Sequence, residues 1–148
     1  MKKLQIIILS AVGFYIVVFV VFLTLFIRAN RYSESIYLNW SIDLPDSYRE
    51  VYSADSGPSF HGDGERYHIF EYRNGDEINQ ALKWSKGKNA LLEEEVNEIL
   101  DKLNIPEEYM PDYDEEYKFS IKAKTDSSII YLIYTPDTGR LYIIENIF

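Results

Sequence analysis

The 148-residue sequence contains no cysteine and only two histidines, His61 and His68. Without cysteine the chain has no disulfide, no catalytic thiol, no cysteine metal ligand and no thiol that could carry a lipid. The motifs of serine hydrolases, phosphate-binding loops and dinucleotide-binding loops are absent as well. The sequence therefore predicts no catalytic residue and no cofactor, and it favours a non-catalytic protein.

Basic residues are scarce in the part of the chain that follows residue 27. This part holds 13 lysines and arginines against 24 aspartates and glutamates, which gives a formal charge of −11. A field of this sign repels the phosphate backbone of nucleic acids and disfavours flat binding to anionic lipid. We therefore predict no nucleic-acid partner.

The most prominent feature that is present is an apolar run over residues 4–27, which contains no charged side chain. A helix of this length spans about 36 Å, whereas a bilayer core is about 30 Å thick. A cleaved signal peptide is disfavoured because its apolar region is shorter, at about 7–15 residues, and ends at a small-residue cleavage site. A type IV pilin stem is disfavoured because the run contains Gln5 but no acidic residue. The run predicts an uncleaved transmembrane signal-anchor that lies in the lipid bilayer.

Positive charges flank the predicted anchor on both sides, so the positive-inside rule favours a cytoplasmic N-terminus only slightly. The tail at residues 1–3 is too short to be a functional domain, and we expect the larger part of the chain to lie outside the cytoplasm. A juxtamembrane tether is predicted at residues 28–40. Its side chains suited to the membrane interface are Arg28, Arg31, Tyr32, Tyr37 and Trp40. For Trp40 a place at the edge of the globular core is an equal alternative.

Residues 41–148 have the composition and length of one small folded domain. Aromatic, β-branched and alternating apolar segments predict five strands, the last three of them joined as an antiparallel meander. These segments are residues 48–53, 66–72, 117–125, 129–135 and 140–147. A tight turn is predicted at residues 136–139.

Two helices are predicted between the second and third strands. One covers residues 77–85, with Asp76 as its N-cap, and the other covers residues 90–103, with Asn89 as its N-cap. The order strand, strand, helix, helix, meander predicts an α+β fold. We expect both helices to pack on one face of an antiparallel sheet.

The best candidate for a ligand site is the glycine-rich loop within residues 55–68. It brings imidazoles and carboxylates of the kinds that bind zinc or manganese into one short segment. These weak candidate ligands are His61, Asp63, Glu65 and His68. Their spacing matches no zinc signature and no EF-hand. The alternative interpretation is a turn whose histidines make ordinary hydrogen bonds.

A second candidate is an acidic, tyrosine-rich surface on the second helix and the loop that follows it. The residues expected to contact a partner are Glu94, Glu98, Tyr109, Tyr113, Glu115 and Glu116. Complementary charge speeds the encounter with a basic partner, and tyrosines supply amphipathic contact area. The alternative is a solvated helix face and a loop whose tyrosines pack on the sheet.

Together these features favour a single-pass, membrane-anchored binding protein of the cell envelope that recognises a protein or a cationic peptide. One alternative is a metal-dependent envelope enzyme or metal sensor that uses the loop at residues 55–68. A second alternative is a membrane-tethered regulator that faces the cytoplasm, which the nearly balanced flanking charges leave open.

Overall fold

The computed structural model describes residues 2–29, 31–59 and 62–148, and within the first helix it describes the side chains of residues 12–26. The chain divides into two compact units, Met1–Asp43 and Leu44–Phe148. The described residues form four helices and one six-stranded antiparallel sheet. This confirms the predicted α+β class.

The first unit begins with α1 (Lys2–Ala29). Its large apolar side chains within residues 12–26 are exposed. Among the residues whose side chains are described, no helix combines the length and the hydropathy that crossing a bilayer requires. The transmembrane segment predicted at residues 4–27 begins and ends outside those described side chains.

A second helix, α2 (Tyr32–Trp40), occupies most of the predicted tether and was not expected from the sequence. Its buried residues are Ser33, Ile36 and Trp40, which recur at three- and four-residue intervals and so lie on one face. The helix ends at Ser41, whose φ of 52° is left-handed and whose N–H donates to the Tyr37 carbonyl at 2.8 Å. This part of the chain is therefore ordered as a short amphipathic helix.

The second unit contains the sheet. Its strands are β1 (Tyr48–Asp55), β2 (Gly64–Tyr72), β3 (Ser85–Lys86), β4 (Lys118–Ala123), β5 (Ile129–Thr135) and β6 (Arg140–Ile147). In the sheet they follow the order β1-β2-β6-β5-β4-β3. Strand β2 therefore pairs on one side with β1 and on the other with the last strand, β6. The β1–β2 register is interrupted by an irregularity between Glu50 and Tyr52. The short strand β3, which the sequence analysis missed, pairs with the first two residues of β4.

One face of the sheet is covered by α4 (Ala90–Lys102), which closely matches the helix predicted at residues 90–103. The Asn89 side chain caps it by accepting from the Leu92 N–H at 3.2 Å. Leu92, Val96 and Leu100 project from α4 into the main hydrophobic core, where Tyr67, Ile69, Tyr131, Ile133, Tyr142 and Ile144 meet them from the strands.

The other helix, α3 (Gly75–Ala81), lies at the opposite face of the sheet, so the expectation that both helices share one face was wrong. Lys118 Nζ donates to Asn79 Oδ1 at 3.0 Å. The Trp84 ring, just after α3, lies 5.9 Å from that of Tyr134. Ile133 packs in the core that α4 covers. Its neighbour in β5, Tyr134, therefore points to the opposite face of the sheet, where Trp84 meets it. The physical reason is that β5 and β6 are apolar on both faces, and therefore both faces need cover.

The β5–β6 hairpin depends on Gly139. Its φ is +66°, and a Cβ placed there would lie 2.5 Å from the Tyr72 carbonyl oxygen. The Tyr72 N–H donates to the Gly139 carbonyl at 2.9 Å. Glycine is therefore required both by the left-handed backbone and by the close approach of β2.

Candidate functional site

Exposed parts of α4 and of the loop after it carry eight acidic side chains that we call the acidic surface. Its members, all at least partly exposed, are Glu94, Glu98, Glu107, Glu108, Asp112, Asp114, Glu115 and Glu116. Within the described part of the chain, a single ion pair involves this set, between Asp114 Oδ1 and Lys88 Nζ at 3.6 Å. The other seven carboxylates therefore remain solvated negative charges without a cationic neighbour in this contact range.

Two further glutamates of α4 serve the fold instead. The Tyr117 hydroxyl donates to Glu93 Oε1 at 2.5 Å, and the Tyr131 hydroxyl donates to Glu95 Oε2 at 2.9 Å. Burial, followed by these bonds to carboxylates, raises the pKa of both tyrosines. These bonds tie α4 to the end of the acidic loop and to β5, and so they fix the helix face that presents Glu94 and Glu98.

The loop tyrosines predicted as partner contacts are half-buried against the core. The Tyr109 ring stacks on Tyr52 with centroids 4.1 Å apart, and its carbonyl accepts from the Tyr67 hydroxyl at 2.5 Å. The Tyr113 ring meets Tyr117 edge to face at 5.8 Å. Their rings therefore hold the loop on the sheet, as the alternative interpretation expects. Only the exposed part of each ring is accessible for contact with a partner.

A groove of about 480 Å³ runs between α4 and the acidic loop, and we call it the α4–loop groove. It is lined by Asn97, Glu107, Met110, Pro111, Asp112 and Tyr113. Two buried side-chain atoms in the described residues have no hydrogen-bond partner, and both belong to residues of this groove. They are Asn97 Oδ1 and the Tyr113 hydroxyl oxygen. Burial first, and then the nearby Glu93, raises the pKa of Tyr113, so its hydroxyl keeps its proton at neutral pH.

Sequence reasoning missed this groove. Asn97 lies on the polar side of an amphipathic helix, where asparagine is ordinary, and nothing in the pattern marks it. Tyr113 was identified, but as an exposed contact rather than as a buried hydroxyl. The signal that links them is three-dimensional, because the loop must fold back on α4 before the two side chains line one groove.

The glycine-rich loop is held by hydrogen bonds of its own and contains a cavity of about 390 Å³. The Glu65 N–H donates to Ser56 Oγ at 3.0 Å, and the Ser59 hydroxyl donates to the Asp63 carboxylate. His61 lies outside the described residues. The predicted ligand set can therefore be compared with the structure at three of its four positions.

Those three positions are not gathered at one point. Glu65 shares a sheet face with α4, and its Oε1 lies 4.0 Å from Lys102 Nζ. His68 lies on the opposite face, where its Nδ1 is 2.6 Å from Glu50 Oε1. Among the described residues, no group of three or more histidine, aspartate and glutamate side chains could hold a metal ion.

His68 instead belongs to a polar cluster that the sequence analysis did not anticipate. Glu145 of β6, which is only 1% exposed, lies close enough to act electrostatically on the imidazole. Burial lowers the pKa of His68, and the hydrogen bond that the Glu50 carboxylate accepts from the imidazole partly opposes that shift. The signal in the sequence was a single glutamate inside the apolar strand β6, which predicts a buried carboxylate rather than a surface one.

The residues predicted for the membrane interface differ in exposure. Arg31 and Tyr32 are partly exposed and Tyr37 is 51% exposed, whereas Trp40 is 1% exposed and thus covered by protein. The Arg28 side chain lies outside the described residues.

A search for related proteins, by family models, among curated proteins and among solved structures, finds no match.

Proposed function

We propose that the protein is a single-pass, membrane-anchored binding protein without catalytic activity, and that its acidic surface recognises a basic segment of a protein or peptide. The observation that carries this proposal is that, among the described residues, seven of the eight carboxylates of the acidic surface form no ion pair. A surface that served only the fold would gain from neutralising such a cluster, because like charges repel one another. A basic partner supplies that neutralisation.

The anchor is supported by the charge-free run at residues 4–27 and by the 28 residues of α1. A helix of 28 residues is about 42 Å long, which exceeds the apolar thickness of a bilayer. The Thr24 hydroxyl donates back to the Val20 and Val21 carbonyls at 3.0 and 2.8 Å, so this polar group brings no unsatisfied donor into lipid. The proposed orientation places the N-terminus in the cytoplasm and residues 41–148 outside it.

Charge reversal tests the binding surface. We expect the combined change of Glu94, Glu98, Glu115 and Glu116 to lysine to abolish capture of envelope partners from a detergent extract, because attraction becomes repulsion. The matched control reverses Glu34, Asp43, Asp76 and Asp137, which are exposed and lie outside α4 and the acidic loop, and so shifts the net charge equally.

Captured proteins are compared by mass spectrometry at low and at 0.5 M salt. Partners that bind the acidic surface are lost from the first variant and retained by the control, and they elute as salt screens the charges. Identical partner sets for the wild type and for both variants would remove the acidic surface from the proposal.

A further inference from the structure

We propose that the α4–loop groove takes a lysine side chain of the bound partner, with the ammonium group at Asn97 Oδ1 and the Tyr113 hydroxyl. This inference rests on the proposed function, because it assigns one contact within the acidic surface. It starts from two buried polar atoms that have no hydrogen-bond partner among the described residues and that belong to residues lining the same groove. Leaving such atoms unpaired costs stability, so their pairing on binding is favourable.

The groove walls match the parts of a lysine side chain. Asn97 Oδ1 is an acceptor, and a tyrosine hydroxyl can also accept, whereas an ammonium group offers three donors. Glu107 and Asp112 line the same groove, and neither carboxylate forms an ion pair with another residue that the structure describes. Met110 and Pro111 supply apolar surface along which a chain of methylene groups can lie.

Access to the two atoms requires side-chain movement, because both are buried in the described conformation. Rotamer changes at interfaces are common on binding, and Met110 is an unbranched side chain with several rotatable bonds. The volume of about 480 Å³ lies within the usual range of small-ligand clefts. The groove therefore has room for one long side chain once its lining adjusts.

The test measures peptide binding to the full chain in phosphatidylcholine nanodiscs, whose zwitterionic lipid carries no net charge. The probes are two fluorescent nonapeptides, Gly-Ser-Arg-Gly-Ser-Lys-Gly-Ser-Arg (the lysine peptide) and the same peptide with norleucine in place of its single lysine (the norleucine peptide). We expect Tyr113→Phe and Asn97→Leu each to weaken binding of the lysine peptide about tenfold. The same variants should bind the norleucine peptide as the wild type does, and Tyr37→Phe serves as an exposed tyrosine control.

Thermal unfolding of the empty protein adds a second readout. Removing an unpaired buried hydroxyl or amide leaves the melting temperature unchanged or raises it, because no hydrogen bond is lost. Weaker binding without lower stability therefore supports the groove site. A lowered melting temperature with unchanged binding would show that the two atoms bond to water as part of the fold, and it would overturn the inference.

The two proposals fail in different ways. If neither peptide binds the wild type more tightly than the Glu94, Glu98, Glu115 and Glu116 charge-reversal variant, the acidic surface itself is not a binding site. If both peptides bind the wild type equally and tightly, the acidic surface attracts cations but the groove takes no lysine.

Discussion

His68 is a partly buried imidazole whose Nδ1 lies 2.6 Å from Glu50 Oε1, and the buried Glu145 also acts on it electrostatically. Despite both negative charges, burial dominates and lowers its pKa below the ordinary value of 6.5. The nearby Arg66 acts in the same direction as burial. Burial therefore favours the neutral form of the imidazole, and its contact with Glu50 is a hydrogen bond.

The lowered pKa of His68 predicts a loss of stability on acidification. As the pH falls below about 6.5, the unfolded chain binds a proton at this histidine before the folded chain does. The contribution present above that pH is therefore lost progressively below it. We expect the urea midpoint to fall less steeply between pH 7 and pH 5 in His68→Gln than in the wild type.

The comparison uses the slope with pH, since the substitution also changes the absolute stability. Equal slopes for the two proteins would mean that His68 titrates at the same pH in the folded and unfolded states. Histidine at position 61 stays in both proteins, so its titration cancels in the difference.

At the scale of single residues, the sequence identified the charges of the acidic surface and left its tyrosines open between partner contact and packing on the sheet. Exposure of Glu94 and Glu98 follows from helical spacing, which the pattern contains. Burial of Tyr109 and Tyr113 depends on how an irregular loop returns to the sheet, and no periodicity records that path. The unpaired atoms of Asn97 and Tyr113 could not be predicted for the same reason, because their burial depends on the path of that loop.

At the scale of elements, α4 offers a direct test of the core. Leu100 is fully buried on this helix, whereas Leu91 of the same helix is 64% exposed. We expect Leu100→Ala to lower the free energy of unfolding by about 2–4 kcal/mol through lost burial and a residual cavity. Leu91→Ala changes the same atoms on the surface and should cost less than about 0.5 kcal/mol.

Both values are obtained from urea denaturation followed by circular dichroism. Both variants replace leucine by alanine in the same helix, so the small gain in helix propensity is the same in each. It therefore cancels when the two losses of unfolding free energy are compared. Similar losses at the two positions would contradict the packing of α4 on the sheet.

The elements with strong local signals were predicted best. Asn89 and the spacing of Leu92, Val96 and Ile99 give α4 nearly to the residue, and the Pro136–Gly139 segment gives the last hairpin. The start of α3 was misplaced because Asn74 rather than Asp76 caps it, by accepting from the Asp76 N–H. The helix then ends at Ala81, since Leu82 is already extended.

Two features needed tertiary information. The helix α2 carries only three buried residues among nine, a pattern too short to separate from a polar tether. The position of α3 opposite α4 follows from β5 and β6 being apolar on both faces. The continuous apolar character of β5 was visible in the sequence, and it should have predicted cover on both faces.

At the scale of the whole molecule, the proposed anchor and orientation predict which positions a reagent can reach in intact cells. The chain has no cysteine, so one introduced cysteine is a unique label site. We expect Asp137→Cys, in an exposed turn, to react with a membrane-impermeant maleimide in intact cells. Lys2→Cys, before the anchor, should react only after lysis.

The reverse result, with Lys2→Cys labelled outside and Asp137→Cys protected, would place the sheet domain in the cytoplasm and favour the tethered regulator. Recovery of the protein in the supernatant after membranes are sedimented would remove the anchor from the proposal. Either result leaves the test of the acidic surface intact, because that test uses detergent extracts.

The two ends of the sheet have a consequence for copies of the protein at high local concentration. The outer strand β1 is irregular between Glu50 and Tyr52, and at the other side β3 covers two residues of β4, beyond which lie the exposed Lys122 and Lys124. Irregular edges and lysines oppose the addition of a strand from a neighbouring molecule. Crowded copies should therefore stay separate and not polymerise edge to edge into fibres.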